Sequence, residues 1–372
     1  MLHASCFMKI GIDGSRAFLK QRTGIEEYSY QVIKNLTNYL KNVQVILYLR
    51  KNQTVDFDLP ENWKIKIIRW PYLWTQIGLS LEMLFSPAEV LFVPAHTVPV
   101  IHPQNTIVTI HGLEYEFCPE AYSFLARLYM RWSIKNSCRW AETIIAVSSN
   151  TKIDLEKLYG VPIEKVKVIY EGYDRNFKFS ILNFQSILND KISKPYLLFI
   201  GRLEERKNIV GIIKAFEMLK EQYKFPHKLV LAGGFGYGAD KIKKAIENSN
   251  FKSEIFLPGY ITDEEKWKYL KNADVFLFPT FYEGFGIPIL EAQSAGVPVV
   301  AGDNSSSKEI AESSSILVDP KSAKQIADTA HKLISDKAMR DDIIKKGYEN
   351  VKKFSWEKCA EEIAKILKNG AE

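Results

Sequence analysis

Two carboxylates with glycines between them are the sharpest chemical signal in this sequence. Glu283 and Glu291 lie eight positions apart in EGFGIPILE, and Gly284 and Gly286 allow a ligand to approach the backbone closely. If a helix begins near Gly286, Glu283 lies in the loop ahead of it and Glu291 about a turn and a half inside. The two acids can then reach different parts of one ligand through its hydroxyl groups. The alternative is a pair of solvated acids at a helix start.

Cations in a second loop suit a phosphate-bearing ligand. Arg202 and Lys207 follow the apolar run PYLLFI, within GRLEERKN, and precede an amphipathic segment. Two cations beside the free N–H groups of a helix N-terminus could bind a diphosphate. Arg206, between them, can instead be a solvated charge.

Three residues in the first half of the chain are further candidates. Gly24 opens an amphipathic segment whose N–H groups could receive a phosphate, although a tight turn explains the glycine equally well. His111 follows the run TIVTI and precedes Gly112, so its imidazole projects from a strand end. The alternative is a hydrogen-bonded structural histidine. His96, in VPAHT, is a second candidate with a stronger structural alternative.

These candidates need elements that bring them together. Short apolar runs alternate with amphipathic segments along the chain, which indicates parallel strands covered by helices on both faces. Ligands of such sheets lie beyond the carboxyl ends of the strands. The predicted strands are 8–13, 43–49, 63–69, 89–94, 106–110, 143–147, 166–170, 195–200, 228–232, 254–258, 274–279, 297–301 and 315–319.

One helix illustrates the pattern. In 206–221 the apolar residues recur at helical spacing and predict a crossover helix with one buried stripe. The residues predicted to be buried are Ile209, Ile212, Ile213, Phe216 and Leu219, and those predicted to face water are Lys214, Glu217 and Lys220.

Length and composition predict two ordinary globular domains. The 372 residues exceed the size of one core, and 46% of them are hydrophobic. The segment 171–194 carries no strand signal and is predicted to be the boundary and linker. The predicted domains are 1–180 and 190–354, each Rossmann-like, with a C-terminal helix at about 355–372 that can pack back on the first.

Other features limit the functional classes. The net charge of +6 is compatible with phosphate-bearing ligands and requires no nucleic acid. Four scattered cysteines, Cys6, Cys118, Cys138 and Cys359, suggest neither disulfides nor zinc. The scattered cysteines fit a reducing, cytoplasmic setting, and no apolar run reaches membrane-spanning length. The D-x-D at 56–58 is interpreted as a solvated turn and not as a metal site.

A basic stripe marks the segment 121–140. Arg127, Arg131, Lys135 and Arg139 recur every four residues beside Leu125, Leu128 and Trp132. Such a helix could lie on an anionic membrane surface and deliver a lipid-linked acceptor. The alternative is a solvated charged face over an ordinary core contact.

Two rival functions remain open from the residues. Gly233, Gly234, Gly236 and Gly238 follow a predicted strand and suggest a nicotinamide-dependent oxidoreductase, although their spacing is not G-x-G-x-x-G. The other rival is a non-catalytic protein that binds a nucleotide-sugar.

The motifs together resemble one family, the retaining glycosyltransferases of family 4. The resemblance rests on TGIEEY, TIHGLEY, IIAVSSNTKIDL, FIGRLEERKN and above all EGFGIPILE, which looks like the family's E-x7-E motif. It implies the α/β GT-B fold, two Rossmann-like domains facing each other across a deep cleft. It also implies an acceptor-binding first domain and a donor-binding second one.

The resemblance assigns roles to individual residues. Arg202 and Lys207 would bind the donor diphosphate, Glu291 the ribose hydroxyls, and Glu283 would lie near the donor sugar. Gly24 would present its backbone to the diphosphate, and His111 would contact the transferred sugar. The backbone of Gly284, Phe285 and Gly286 would orient the sugar, and Tyr260, in the loop 259–265, would lie by the base.

The implied activity needs no cofactor besides the nucleotide-sugar donor, and no metal. The resemblance implies transfer of a hexose, and resemblance to bacterial mannosyltransferases of polysaccharide assembly favours mannose from GDP-mannose over a UDP-sugar. The acceptor would be a glycan or a lipid-linked sugar. Many relatives have His-Asp where this chain has His111-Gly112, so a carboxylate at that position plays no part here.

Overall fold

The computed structural model describes residues 8–173 and 195–370. The chain divides into two compact units. The first consists of Met1–Leu113, Phe124–Gly172 and Phe354–Glu372, and the second of Glu114–Ser123 and Tyr173–Lys353. Cys6 and almost all of the predicted linker 171–194 lie outside the described residues.

The first unit is built on a parallel sheet of seven strands in the order β3-β2-β1-β4-β5-β6-β7. The strands are β1 (Lys9–Asp13), β2 (Gln44–Arg50), β3 (Trp63–Ile68), β4 (Val90–Val93), β5 (Asn105–Ile110), β6 (Thr143–Ala146) and β7 (Val166–Val168). Its helices are α1 (Gly24–Tyr39), α2 (Ser80–Phe85), α4 (Phe124–Trp140), α5 (Ser149–Tyr159) and α13 (Trp356–Asn369), while the short α3 (Glu114–Phe117) belongs to the second unit.

The second unit repeats the plan with a six-stranded parallel sheet in the order β10-β9-β8-β11-β12-β13. The strands are β8 (Tyr196–Ile200), β9 (Lys228–Ala232), β10 (Ile255–Gly259), β11 (Val275–Phe278), β12 (Val299–Gly302) and β13 (Ile316–Val318). The helices are α6 (Ile209–Tyr223), α7 (Ala239–Glu247), α8 (Asp263–Asn272), α9 (Ile287–Ser294), α10 (Ser305–Ala311), α11 (Ala323–Ser335) and α12 (Lys337–Asn350).

The second unit therefore has the 3-2-1-4-5-6 strand order of a Rossmann fold, and the first has the same order with a seventh strand added, so the predicted fold class is confirmed in this respect. Each of the thirteen predicted strands corresponds to an observed one. The inner strands, such as β4 and β11, are buried at every position, because helices cover both faces of each sheet.

The predicted crossover helix is observed as α6, and its five apolar stripe residues are buried. The prediction that Lys220 faces water is wrong. Its ammonium lies 5.4 Å from the centroid of the Phe216 ring and pairs with Glu254, so the stem is buried while the charge is compensated.

Ser355 is the N-cap of α13, where its hydroxyl accepts a hydrogen bond from the N–H of Lys358 at 3.1 Å. The Trp356 ring lies 6.0 Å from that of Tyr28 on α1, so α13 packs within the first unit.

Candidate functional site

The centre of the second unit's strand-end loops is a buried cluster around Glu283. The Lys207 ammonium donates to both oxygens of Glu283, at 2.7 and 2.8 Å. The Arg206 guanidinium lies 3.2 Å from the same carboxylate and donates to the carbonyl of Tyr282 at 2.7 Å. The loop after β8 and the loop after β11 are thereby joined. The structure brings together two of the predicted residues, Lys207 and Glu283.

The sequence allowed Arg206 to be a solvated charge, and the structure shows that it is not. Its side chain is only 12% exposed and also pairs with Glu204, at 2.9 Å. Burial alone would lower its pKa, but Glu283, Glu114 and Glu204 outweigh that effect and raise it. Arg206 is therefore a permanently charged member of the cluster that sequence reasoning missed.

The protonation state of the central pair follows from these contacts. Burial raises the pKa of Glu283, but Lys207 and Arg206 lower it more, so it lies below the ordinary 4.5. The pKa of Lys207 is lowered from its ordinary value by burial and by the neighbouring Arg206. Glu283 acts in the opposite direction and offsets only part of this effect. Glu283 is therefore ionised at neutral pH, and its charge is shared between two cations.

The E-x7-E loop is held in place by side chains that bind its backbone. The amide of Asn208 donates to the carbonyls of Pro279 and Pro320, at 3.0 and 2.6 Å. Asn304 donates to Thr280 and Phe281, both at 3.0 Å. Ser306 donates to the carbonyls of Glu283 and Phe285 at 2.8 Å each. The position of Glu283 is therefore set by hydrogen bonds that do not use its own carboxylate.

Helix α9 begins immediately after Gly286, as the sequence predicts. Gly286 has a φ of 109°, which only glycine adopts without strain. Glu291 is buried on this helix and pairs with Lys266 of α8 at 2.6 Å. The alternative of two solvated acids is wrong for both carboxylates.

Lys266 was not singled out from the sequence. It contacts Asp263 at 3.1 Å as well as Glu291. Burial opposes its charge, but Glu291 and Asp263 raise its pKa above the ordinary value. Tyr260, in the loop ahead of α8, is 66% exposed and its ring is available to a planar partner.

Arg202 lies apart from the buried cluster. It is exposed, and it has no ion-pair partner among residues 8–173 and 195–370. Its stem packs on Gly236, where an added Cβ would meet the Arg202 Cδ at 2.7 Å. Arg202 is therefore an exposed cation in the same strand-end loop that carries Lys207.

The glycines after β9 have packing reasons of their own. A Cβ at Gly233 would meet the carbonyl oxygen of Gly201 at 2.0 Å, and one at Gly238 would meet Glu205. The glycine loop is thus fitted against the loop after β8. This close approach explains Gly233, Gly236 and Gly238 without a dinucleotide, whereas an added Cβ at Gly234 would meet nothing within 4 Å.

In the first unit, His111 is buried at the end of β5 and is 6% exposed. Its Nδ1 lies 3.1 Å from a carboxylate oxygen of Glu171, and its Nε2 lies 2.9 Å from the carbonyl oxygen of Pro94. Both ring nitrogens therefore have protein partners. This is the hydrogen-bonded histidine that the sequence offered as the alternative, and its contact with the sugar stays a prediction.

Glu171 is a second residue that sequence reasoning missed. It lies after β7, beside Gly172, where an added Cβ would come 2.2 Å from the backbone nitrogen of Trp356. The tight packing of this segment on the start of α13 places the carboxylate at His111. No local motif could reveal the pair, because sixty residues separate its members.

His96 differs from His111 in its surroundings. Its Nδ1 accepts a hydrogen bond from the backbone N–H of His111 at 3.4 Å. Burial, His111 and Arg16 lower its pKa well below 6.5, so the ring is neutral. With Nδ1 as acceptor, the proton is on Nε2.

Gly24 is the first residue of α1, as predicted. A Cβ at this position would meet nothing within 4 Å, so no packing contact requires the glycine. Thr23 and Glu26 form a capping box over the N-terminus, in which the N–H of Thr23 donates to Glu26 at 3.2 Å. Gly24 and the cluster around Glu283 belong to different units.

Helix α4 carries apolar side chains on its outer surface. Phe124 and Leu125 are 78% and 75% exposed, and Leu128, Tyr129 and Trp132 are also exposed. These five residues are called the α4 face below. The alternative interpretation placed the apolar residues of this helix in contact with the core. Leu125, Leu128 and Trp132 are instead exposed, so that interpretation is wrong for them.

No helix among residues 8–173 and 195–370 is long and apolar enough to cross a bilayer. No group of three or more His, Cys, Asp or Glu side chains is placed to hold a metal ion, within the same two ranges.

Family models match both units. Residues 23–177 match the model described as Glycosyltransferase Family 4, and residues 183–350 match the model described as Glycosyl transferases group 1. Two Rossmann-like sheets with a buried E-x7-E cluster are the fold and motif of a sugar-transferring enzyme. The chain belongs to the glycosyltransferases of the GT-B fold.

Individual relatives agree with this family. The O-antigen chain mannosyltransferase B of Escherichia coli is 29% identical over 259 residues, which are 69% of this chain and 68% of that protein. The O-antigen chain mannosyltransferase RfbU of Salmonella typhimurium is 25% identical over 262 residues, or 70% and 69% of the two chains.

Solved structures agree on the fold. Sucrose-phosphate synthase from Thermosynechococcus elongatus superposes with a TM-score of 0.77 at 19% identity, covering 97% of this chain and 98% of that one. WaaG, a glycosyltransferase involved in lipopolysaccharide biosynthesis, gives 0.72 at 17% identity, covering 96% and 99%. HepE from Anabaena, in complex with UDP and glucose, gives 0.70 at 17% identity, covering 97% and 100%.

Proposed function

We propose that this glycosyltransferase moves mannose from a nucleotide-diphosphate sugar, GDP-mannose in the first instance, to a glycan or lipid-linked acceptor with retention of configuration. The mannosyltransferase relatives named above support the choice of sugar. The family resemblance supports retention. The HepE complexes with UDP and UDP-glucose support a nucleotide-diphosphate donor of some kind.

The buried cluster of Lys207, Arg206 and Glu283 is the main support for a donor-binding site in the second unit. Two cations at one strand end suit a diphosphate, whose negative charge grows as the sugar bond breaks. Arg202 adds a third, exposed cation beside the same loop. In the absence of donor, Glu283 neutralises Lys207 at 2.7 Å. When a diphosphate binds, Lys207 is shared with it and Glu283 becomes available to sugar hydroxyls.

Glu291, the second carboxylate of the motif, is suited to binding the nucleoside of the donor. Glu291 can accept hydrogen bonds from two ribose hydroxyls while Lys266 keeps its charge compensated, so no buried acid is left unpaired. Tyr260 offers an exposed ring to the base. The backbone N–H groups of 284–286 lie at the start of α9, where they can orient the sugar.

The chemical step balances without a dedicated protein base. The bond between the anomeric carbon and the diphosphate breaks, the acceptor oxygen forms the new bond on the same face, and the acceptor proton passes to a diphosphate oxygen. Lys207, Arg206 and Arg202 offset the charge of the departing diphosphate. No residue of the chain has to change its protonation state.

A thermal-shift screen of GDP-, UDP- and ADP-sugars tests the donor assignment, because a ligand that binds the native state raises the melting temperature. GDP-mannose should give the largest shift. Glu291→Gln should reduce that shift, and the matched control Glu264→Gln, an exposed acid on α8, should not. Transfer products analysed by NMR should show the donor's anomeric configuration. The absence of any shift across the panel, or an inverted product, would contradict the proposal.

The α4 face supports a peripheral contact with an anionic lipid surface. Its apolar side chains lie on the same helix as the exposed cations Arg131, Lys135 and Arg139. An exposed apolar stripe flanked by cations is the pattern of a helix lying in a membrane interface. A lipid-linked acceptor would be reached from that position.

The rival functions are not supported. The relatives and family models are glycosyltransferases, and none of those named above is an oxidoreductase. The glycine loop that suggested a nicotinamide cofactor has the packing explanation given above.

A further inference from the structure

A short segment, Glu114–Ser123, belongs to the second unit although it lies between β5 and α4 of the first unit in sequence. It is called the 114–123 segment below. The N–H of Cys118 donates to the carbonyl of Glu114 at 2.8 Å, and the ring of Tyr115 lies 6.4 Å from that of Tyr122. The segment therefore has a folded structure of its own within the second unit.

Phe117 joins this segment to the loop that carries Glu283. Its ring stacks on that of Tyr282, with the ring centroids 4.5 Å apart and the planes inclined by 12°. Tyr282 is only 3% exposed and directly precedes Glu283, and its carbonyl accepts the hydrogen bond from Arg206 at 2.7 Å. Stacked aromatic pairs add to the free energy gained by burial alone. The 114–123 segment is therefore packed against the loop that holds the buried cluster.

The segment brings an acid to the cations of that cluster. Burial opposes the charge of Arg206, but Glu283 and then Glu114 raise its pKa, and Tyr122 acts in the same direction. Burial raises the pKa of the Cys118 thiol to about 11, against the opposing effect of Arg206. Residues 114, 118 and 122 of the segment are therefore all electrostatic neighbours of Arg206.

Arg206 does not depend on Glu114 for charge compensation. Glu283 and Glu204 already pair with its guanidinium, at 3.2 and 2.9 Å. Glu114 is half-buried and acts on the same cation without an ion-pair contact among the described residues. Its negative charge therefore repels a further anion that approaches Arg206 and Lys207.

We propose that Glu114 limits the affinity of the donor site for nucleoside diphosphates and so speeds release of the nucleoside diphosphate left after sugar transfer. The inference rests on the proposed function for the identity of this ligand. Loss of the sugar gives the terminal phosphate an additional ionisable oxygen, so the product is more negative than the donor and is repelled more strongly. Phe117 is a positioning residue, because its stacking on Tyr282 holds Glu114 beside Arg206.

Glu114→Gln removes the charge and keeps the shape of the side chain. Its dissociation constant for GDP should fall about three- to tenfold, the effect of one unit charge near a protein surface. UDP or ADP replaces GDP as the probe if the wild-type chain prefers that base. Glu114→Asp, which keeps the charge, should bind the probe as the wild type does. Glu120→Gln, an exposed acid of the same segment, is the matched control.

Ligands of different charge separate an electrostatic role of Glu114 from a structural one. In Glu114→Gln, binding of the sugar nucleotide should tighten less than binding of the nucleoside diphosphate, and binding of the nucleoside without phosphate should not change. Product inhibition should become stronger by the same factor as the dissociation constant falls. If no nucleoside diphosphate binds the wild-type chain, the proposed function fails. If one binds but Glu114→Gln does not tighten it, or tightens the bare nucleoside equally, the role of Glu114 is refuted and the donor site stands.

A double-mutant cycle tests the part played by Phe117. Phe117→Leu keeps an apolar side chain but loses the stacked ring, whereas Phe117→Tyr keeps the ring. Glu114→Gln should tighten binding of the nucleoside diphosphate less in the Phe117→Leu background than in the wild-type and Phe117→Tyr backgrounds, because the acid is then no longer held beside Arg206. Equal tightening in all three backgrounds would show that the stacking on Tyr282 does not position Glu114.

Discussion

The Glu171 carboxylate lies 3.1 Å from Nδ1 of His111, although the two residues are sixty positions apart. The sequence has Gly112 next to this histidine, where the family that it resembles was expected to carry an acid. In this chain a carboxylate still reaches His111, but it comes from the loop after β7. The pair holds three strand-end loops together, because the other ring nitrogen lies 2.9 Å from the Pro94 carbonyl.

Removing that carboxylate should cost stability. Glu171→Gln should lower the free energy of unfolding by about 1–3 kcal/mol, since a buried ring nitrogen loses a charged partner. Urea denaturation checks this. Glu164→Gln, an exposed acid shortly before β7, is the control. Equal midpoints for the two variants would show that the His111–Glu171 contact contributes little.

Lys207→Met should weaken both the cluster and the donor site. We expect a loss of about 2 kcal/mol in stability, below the ~3–5 kcal/mol for a buried charge with no partner, because Arg206 still contacts Glu283. Turnover should fall at least about a hundredfold, since one charge-stabilising group is lost from the reaction centre. Wild-type turnover in a folded variant would exclude Lys207 from the donor site.

The Lys207→Met variant should lose stability at a higher pH than the wild-type protein. The pKa of Glu283 is held below its ordinary 4.5 by Lys207 and Arg206 against the effect of burial. A depressed carboxyl pKa stabilises the fold above the unfolded-state value, and that stability is lost as pH falls through the folded-state value. Lys207→Met removes part of the depression. Denaturation between about pH 3 and 7 should show its stability declining at a higher pH than in wild type.

Gly24→Ala should leave the fold intact and impair turnover. The added methyl group meets no protein atom within 4 Å, and alanine is the better helix former. A loss of activity with unchanged melting temperature would place a ligand against this backbone. Wild-type activity would favour a simple turn at Gly24.

Turnover should not require a metal ion. Full activity in excess chelator is expected, because the cations of the chain offset the charge of the leaving diphosphate. The double substitution Asp56→Asn and Asp58→Asn should likewise have no effect. A strict requirement for Mg²⁺ or Mn²⁺ would contradict this prediction.

The α4 face should bind anionic vesicles in a salt-dependent way. Phe124→Ser with Leu125→Ser should reduce cosedimentation about tenfold or more, because each apolar side chain contributes about 1.5–3 kcal/mol when buried. Ile153→Ser, an exposed apolar residue on α5, is the control. Binding should weaken at higher salt as the charges are screened. No binding of the wild-type chain at low salt would end the idea.

The strands and the α6 stripe could be read from the sequence because they depend on local periodicity. The buried strands produce apolar runs, and the end of each run marks a ligand-facing loop. The motif around Glu283 and Glu291 was visible for the same reason, since its residues are neighbours in the chain. Gly286 marked the start of α9, which places Glu291 on the helix and Glu283 in the loop ahead of it.

Long-range electrostatic partners could not be read in this way. Arg206 and Lys220 look like solvated charges in sequence, and only the fold brings them to Glu283 and Glu254. The same holds for Lys266 with Glu291 and for Glu171 with His111. A charged residue can be buried only where a distant segment supplies an oppositely charged partner. The periodicity of the sequence contains no information about that partner.

The ion pair between Lys207 and Glu283 also bears on selectivity among anions. A free phosphate ion that took Lys207 would leave the Glu283 carboxylate buried and facing a second negative charge. A sugar diphosphate brings hydroxyls for the acid together with oxygens for the cation. The Lys207–Glu283 ion pair thus disfavours binding of inorganic anions alone, and competition by phosphate should be weak.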